Sequence, residues 1–295
     1  MTIIAFAGLG AMGLPMASNL LRANYVVRGT DINPASLASL QAEGGIAAAN
    51  PADACRNADF LILMVVNAAQ AEQVLFAEGA LDALPQHATI CLMATCPPGS
   101  VQAIAERVLA TGRRFVDAPV SGGTAGAKQA SLTVMAACDD ATFADVRPVF
   151  DAIGGRVFHV GQRAGQGATV KTVNQLLCGV HIAVVAEAFA LAAKAGVELD
   201  VLLEIMSGSS ASSWMLKDRG PRMLQAEPEV TSAVDIFVKD LGIVLEAGRE
   251  MKSALPLAAV AHQMFLASSG CGDGRSDDSQ VIRSYHRLNG TGHGS

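Results

Sequence analysis

Residues Ile3-Ile4-Ala5-Phe6-Ala7-Gly8-Leu9-Gly10-Ala11-Met12-Gly13-Leu14-Pro15-Met16 decide how the rest of this 295-residue chain is read. A β-prone apolar run leads straight into a glycine-rich turn, and Met12, Met16 and Leu20 then recur at helical spacing. Strand, turn and helix in that order form the phosphate-binding start of a dinucleotide fold. Gly8 permits the tight turn, Gly10 lets the backbone approach a pyrophosphate, and Gly13 lets the helix lie close to the strand. Free N–H groups at the helix start receive the negative charge. The next strand, residues 25–30, runs into Asp31, about 20 residues beyond the turn, as the fingerprint requires. A carboxylate there accepts hydrogen bonds from both ribose hydroxyls and repels a 2′-phosphate, so NAD is expected rather than NADP. The bland reading of Asp31, a cap for a helix beginning at Pro34, places it too early in the sequence. FAD uses the same turn, but the chain carries no second glycine-rich nucleotide motif and is short for a flavoenzyme.

Outward from the turn, short apolar runs at 60–66, 89–94, 115–120, 132–137 and 157–160 alternate with helical patterns. This predicts a doubly wound, mostly parallel α/β sheet of the Rossmann type, with strands buried on both faces. After Gly167 the pattern becomes helical, at 168–195, 233–251, 256–267 and 277–288, which predicts an all-α second domain. The expected division is 1–163 for the dinucleotide-binding domain and 164–295 for a helical domain serving substrate and oligomerisation. A helix of about 28 residues spans roughly 42 Å, more than a small domain needs, so it is expected to join the two halves. Residues 268–274 read as a loop and 290–295 as a frayed tail.

The 21 basic and 27 acidic residues give a net charge of −6. A nucleic-acid partner is therefore set aside, because such binders gather a basic excess against phosphate. The chain is 51% hydrophobic, yet the run at 60–66 is far short of the roughly 20 residues of a membrane span. The longer run at 180–197 is interrupted by His181, Glu187 and Lys194. Neither a membrane partner nor a signal peptide is expected, which implies a cytoplasmic location. Six cysteines without a C-x-x-C pair indicate neither zinc nor a disulfide framework, and no metal site is expected.

Four segments in order resemble the β-hydroxyacid dehydrogenase family: the turn and helix at 6–20, Asp-Ala-Pro-Val-Ser-Gly-Gly-Thr at 117–124, Gly-Gln-Gly-Ala-Thr-Val-Lys-Thr-Val-Asn-Gln at 165–175, and Phe-Val-Lys-Asp-Leu at 237–241. The resemblance covers nearly the whole chain. It implies an oxidoreductase that moves a hydride from the hydroxyl-bearing carbon of a small hydroxy acid to NAD. Residues 171–182 and 213–224 are similar to the branch acting on a four-carbon sugar acid, L-threonate, at C2. 3-Hydroxyisobutyrate and tartronate semialdehyde are the alternative substrates. A non-catalytic NAD-binding redox sensor is the alternative of another class, and its mark would be a missing base. The chain departs from the family at Ala130 and at Ala136-Ala137, where glycines are usual, and at Gln175, where a second asparagine is usual.

Oxidation of a hydroxy acid needs a base, a carboxylate clamp and a placed cofactor. Lys171 shares one helix face with Asn174, Gln175 and Cys178, and the resemblance makes it the catalytic residue. Bringing a lysine from about 10.4 to about 8 requires roughly 3.3 kcal/mol against its charged form. Burial and a second cation, Lys239, are the expected sources. Alone, such a lysine reads as solvated; its neighbours Val170, Val173, Leu176 and Leu177 argue for burial. The expected substrate contacts are Ser121, Gly122 and Gly123 at a strand end, with Lys171, Asn174, Gln175 and Lys239. The expected cofactor contacts are Gly8, Leu9, Gly10, Ala11, Met12, Gly13, Asp31, Val66, Thr95 and Lys239, Thr95 lying near the nicotinamide by the resemblance. Trp214 reads as filler of a domain seam. Small-residue-rich helices in the second domain predict a homo-oligomer, a dimer or tetramer.

Overall fold

Ile3–Ala7 forms β1, and parallel partners pair with it on both sides. The computed structural model describes residues 1–290. In the first of its two units, Met1–Lys171, β1 is followed by α1 (Gly13–Arg22), β2 (Val26–Thr30), α2 (Pro34–Ala42), β3 (Ile46–Ala47), α3 (Pro51–Cys55), β4 (Phe60–Leu63), α4 (Ala68–Glu72), α5 (Ala80–Ala83), β5 (Thr89–Leu92), α6 (Pro98–Leu109), β6 (Arg114–Asp117), β7 (Val120–Ser121), α7 (Gly123–Lys128), β8 (Leu132–Ala137), α8 (Asp140–Asp151) and β9 (Gly154–Gly161). The strand order is β3-β2-β1-β4-β5-β6-β8-β7, with β9 also on β8. Strand order reverses beside β1, the switch point where open α/β sheets bind ligands at their carboxyl ends. Side chains alternate between two cores: Phe6 of β1 joins Met16, Leu20 and Leu40 on one face, and Ala5 and Ala7 join Leu61, Leu75 and Ile104 on the other.

The expected strand at 115–120 is two strands. Beyond Asp117 the chain leaves parallel pairing with β5 for antiparallel pairing with β8. Pro119, which has no N–H to donate, marks the change. β4 and β5 stop at Leu63 and Leu92, before the ends expected from apolarity alone. β9 is longer than expected, and none of its residues is fully buried, so the rule of burial on both faces does not reach it.

One departure from the family has a backbone consequence. Ala130 sits at φ 52°, in the left-handed region that costs a non-glycine residue about 1–2 kcal/mol. Ala130→Gly is therefore expected to stabilise the protein, by roughly 0.5–1 kcal/mol after allowing for the freer unfolded chain. Denaturant titration checks this.

The second unit, from Thr172 onward, contains most of α9 (Gln166–Lys194), then α10 (Leu199–Gly208), α11 (Trp214–Met223), α12 (Val234–Glu250), α13 (Pro256–Ser268) and α14 (Ile282–Asn289). Its core is built on Ile182, Val185 and Phe189 of α9 with Phe237, Leu241 and Phe265. A Cβ at Gly179 would lie 2.7 Å from Leu241, so α9 and α12 pack closely there. Among the described helices α9 alone is long and apolar enough, by length and composition, to cross a bilayer.

Neither α10 nor α11 was legible from the helical pattern. α11 contains Gly220 and Pro221, both poor helix formers, and is held by its cap and by ion pairs instead. Ser213 Oγ accepts from Leu216 N at 3.0 Å. Arg219 grips the fully buried Asp278 at 2.8 and 2.9 Å, and Arg222 reaches Asp277 at 2.9 Å. The segment expected to be helical from 277 opens with a 3-10 turn, Asp278–Val281, and the expected loop at 268–274 is a π turn, Ser269–Asp273. Most of the expected tail, 291–295, lies outside the described residues.

Candidate active site

The glycines of the turn have the backbone geometry that such a turn requires. Gly8 has φ +94°, and a Cβ on it would lie 2.5 Å from the Met64 carbonyl oxygen. A Cβ on Gly13 would lie 1.8 Å from the Gly8 oxygen, whereas Gly10 has nothing within 4 Å of its Cβ position. The turn is thus closed against the sheet at Gly8 and Gly13 and open at Gly10. Met12 caps α1 without a side-chain hydrogen bond, and no acidic residue lies in the first turn to repel an anion at the positive end of the helix. Leu9 N donates to Asp31 Oδ2 at 2.6 Å and Asn33 N donates to Asp31 Oδ1 at 2.7 Å. Asn33 is the actual cap of α2, accepting from Ala35 N. Asp31 is therefore tied to the turn, half-buried, with lone pairs remaining for ribose hydroxyls. These residues fit a dinucleotide.

The other expected positions in this unit also follow strand ends. Val66 is 51% exposed beyond β4, and its N–H donates to Gln70 Oε1 at 2.8 Å. Thr95 is half-buried beyond β5. Ser121 ends β7, paired with Thr133, and the exposed glycines after it have φ +131° (Gly122) and +61° (Gly123). Two successive positive φ values make a backbone path that side-chain-bearing residues resist.

Lys171 is 8% exposed. Sequence reasoning assigned no role to the residue that fixes the start of its helix. Asp117, 1% exposed at the end of β6, accepts on Oδ2 from Gly165 N at 2.8 Å and Ala168 N at 2.9 Å. Burial pushes its carboxyl up to about 6, against the opposing pull of these amide donors. A lone acidic residue in an apolar strand was the available signal.

Further along α9, Asn174 Nδ2 donates to Gln175 Oε1 at 2.8 Å and contacts Cys178 Sγ at 3.4 Å. Gln175 Nε2 in turn donates to Asp240 Oδ2. Lys239 Nζ lies 2.6 Å from Asp240 Oδ1. The structure thus brings Asn174, Gln175, Cys178 and Lys239 together through Asp240, a 3% exposed carboxylate that sequence reasoning passed over. Its signal was adjacency to Lys239. Trp214, expected to fill a seam, is 62% exposed at the start of α11.

Known proteins resemble the chain over nearly its whole length. Residues 3–161 match the NAD binding domain of 6-phosphogluconate dehydrogenase, and residues 165–285 match the NAD-binding domain of NADP-dependent 3-hydroxyisobutyrate dehydrogenase. L-threonate dehydrogenase of Cupriavidus necator is 43% identical over 283 residues, covering 96% of this chain and 95% of its own. 2-Hydroxy-3-oxopropionate reductase of Escherichia coli is 32% identical, covering 97% of each. The crystal structure of a 3-hydroxyisobutyrate dehydrogenase from Salmonella typhimurium superposes with a TM-score of 0.90 at 39% identity, over 96% of this chain and 99% of that one. With these family matches and relatives over nearly its whole length, the chain belongs to the β-hydroxyacid dehydrogenase family and is an NAD-dependent oxidoreductase of CH–OH groups.

Proposed function

We propose that this enzyme oxidises L-threonate at C2 to the 2-oxo acid, with Lys171 accepting the hydroxyl proton. One observation carries the assignment of the base. Lys171 is 8% exposed, while Val173 and Leu177 on the same helix are 56% and 49% exposed. A helix that hides its lysine and shows its apolar side chains holds the amine for a purpose other than solvation. NAD, when bound, supplies the acceptor for the hydride leaving C2. Lys171 Nζ takes the proton from the C2 hydroxyl, and in the reverse direction returns it to the forming alkoxide. The glycine turn at 8–13 receives the pyrophosphate and Asp31 the ribose, with Val66, Thr95 and Lys239 as further cofactor contacts. Ser121, Gly122 and Gly123 hold the substrate carboxylate. Asn174 and Gln175 address its hydroxyls, Gln175 with its amide direction fixed by Asn174 and Asp240.

The substrate assignment rests on the named L-threonate dehydrogenases, 39–43% identical to this chain. A panel of hydroxy acids tests it. kcat/KM for L-threonate should exceed that for 3-hydroxyisobutyrate by at least about 100-fold, because groups placed for substrate hydroxyls are left unpaired by an analogue lacking them. A preference for 3-hydroxyisobutyrate, or for reduction of tartronate semialdehyde, would overturn the substrate and leave the base in place.

The helical surface supports a homo-oligomer. α10 has no buried residue although its sequence is LDVLLEIMSG, and α9 exposes Val173, Leu177, Val184 and Leu191 in a row. Apolar faces of this kind mark contact surfaces. Light scattering should give a mass at least twice the 30.3 kDa of one chain, and Leu177→Glu with Leu191→Glu should lower it. A monomer in the unaltered protein would sink this part.

A further inference from the structure

We propose that Asp117 is a positioning residue for the proton transfer, fixing the first turn of α9, and so the backbone that carries Lys171, to the strand leading into Ser121-Gly122-Gly123. This rests on the reading of Lys171 as the base. The carboxylate sits at the end of β6, 1% exposed, and holds the amides of Gly165 and Ala168 at 2.8 and 2.9 Å. Lys171 follows Ala168 by one helical turn. A second, independent feature seats the same turn: a Cβ on Gly167 would lie 2.5 Å from the Met135 carbonyl oxygen and 2.7 Å from that of Asp117. The helix start therefore rests directly on the backbone of β6 and β8, with no room for a side chain. Gly165, at φ +92°, turns its N–H onto the carboxylate from the preceding loop. Ala168, 3% exposed, completes the seat by entering the core of the first unit.

A neutral serine or asparagine would cap a helix adequately. Here the cap is a carboxylate whose charge burial opposes, as its upward displacement to about 6 shows. Since its folded value lies above the ordinary 3.8, the favourable contribution of this group to stability is full in acid and fades as pH rises through about 6. The Cys138 thiol beyond β8 feels this carboxylate and is pushed up to about 12, by burial first and then by Asp139, Asp140 and Asp117. That thiol stays protonated over the working range.

The test is Asp117→Asn, with Lys171→Ala alongside it and L-threonate, 3-hydroxyisobutyrate and NAD as probes. Asp117→Asn should keep its melting temperature at pH 8 and its NADH affinity, while kcat falls about 10- to 100-fold, the effect of a displacement of about 1 Å. In the unaltered enzyme, log kcat should fall toward acid with unit slope as the base protonates, then more steeply just below about pH 6 as Asp117 protonates as well, before the slope returns to one. The second break should be missing from Asp117→Asn. An Asp117→Asn enzyme with unaltered kcat and both breaks overturns the inference. So does a loss of kcat that only tracks a loss of melting temperature, with a single break in the unaltered enzyme. If the variant does not fold, the unaltered profile decides: two breaks support the role and one overturns it. Active Lys171→Ala removes the base, and this inference with it; inactive Lys171→Ala beside fully active Asp117→Asn removes only the positioning role.

Discussion

Lys171→Ala should lower kcat for hydroxy-acid oxidation by at least about 10³-fold, toward the upper end of what a positioned acid–base group contributes. NADH affinity should change little, because the turn at 8–13 and Asp31 are held by their own contacts, Gly8 N to Thr30 O and Leu9 N to Asp31 among them. The loss should fall on kcat and kcat/KM together, as expected for an interaction made in the transition state. Lys171→Arg should be nearly as inactive, since a guanidinium stays protonated and cannot accept the proton. Stopped-flow absorbance at the NADH band, with cofactor binding measured separately, checks both variants.

Arg219→Leu should destabilise the protein by about 3–5 kcal/mol, the usual result of leaving one member of a buried ion pair without its partner. Asp278 is 0% exposed, and its two oxygens are both taken by Arg219, at 2.9 and 2.8 Å. Asp278 and its neighbours hold Arg219 protonated despite the burial of the guanidinium. Removing the arginine strands a carboxylate in the core of the second unit and loosens α11, which has little propensity of its own. For a chain of this size the melting temperature should drop by roughly 10 °C. The double variant Arg219→Leu with Asp278→Leu should recover part of the loss, because replacing both ions by apolar groups removes the stranded charge. Thermal melts of the two variants separate this pair from simple packing.

The sequence carried the sheet and the dinucleotide turn because both are local. Gly8, Gly10 and Gly13 sit where a strand, a turn and a helix follow one another directly, and the apolar cores of β1, β4 and β5 state their own burial. What escaped was set by distant partners. Asp117 meets Gly165 and Ala168, about fifty positions on, and Gln175 meets Asp240 across another long interval. No periodicity within either segment encodes such a meeting. α11 escaped for the opposite reason: Gly220 and Pro221 argue locally against a helix that Arg219 and Arg222 secure from Asp278 and Asp277. The end of β6 was misread because apolarity continues through Val120 while pairing changes partner at Pro119. Strand β9 was read too short because its side chains are only partly buried, so apolarity marks its middle and not its ends.

The most direct measurement is chemical rescue of Lys171→Ala by small primary amines, followed as NADH formation from L-threonate at fixed saturating NAD. An amine at position 171 acting as proton acceptor predicts an inactive variant whose rate rises in proportion to the free-base concentration of methylamine or ethylamine, with no effect on the unaltered enzyme. A variant that turns over within about tenfold of the unaltered enzyme without added amine would contradict it, since a group contributing as an acid–base catalyst is worth more than that.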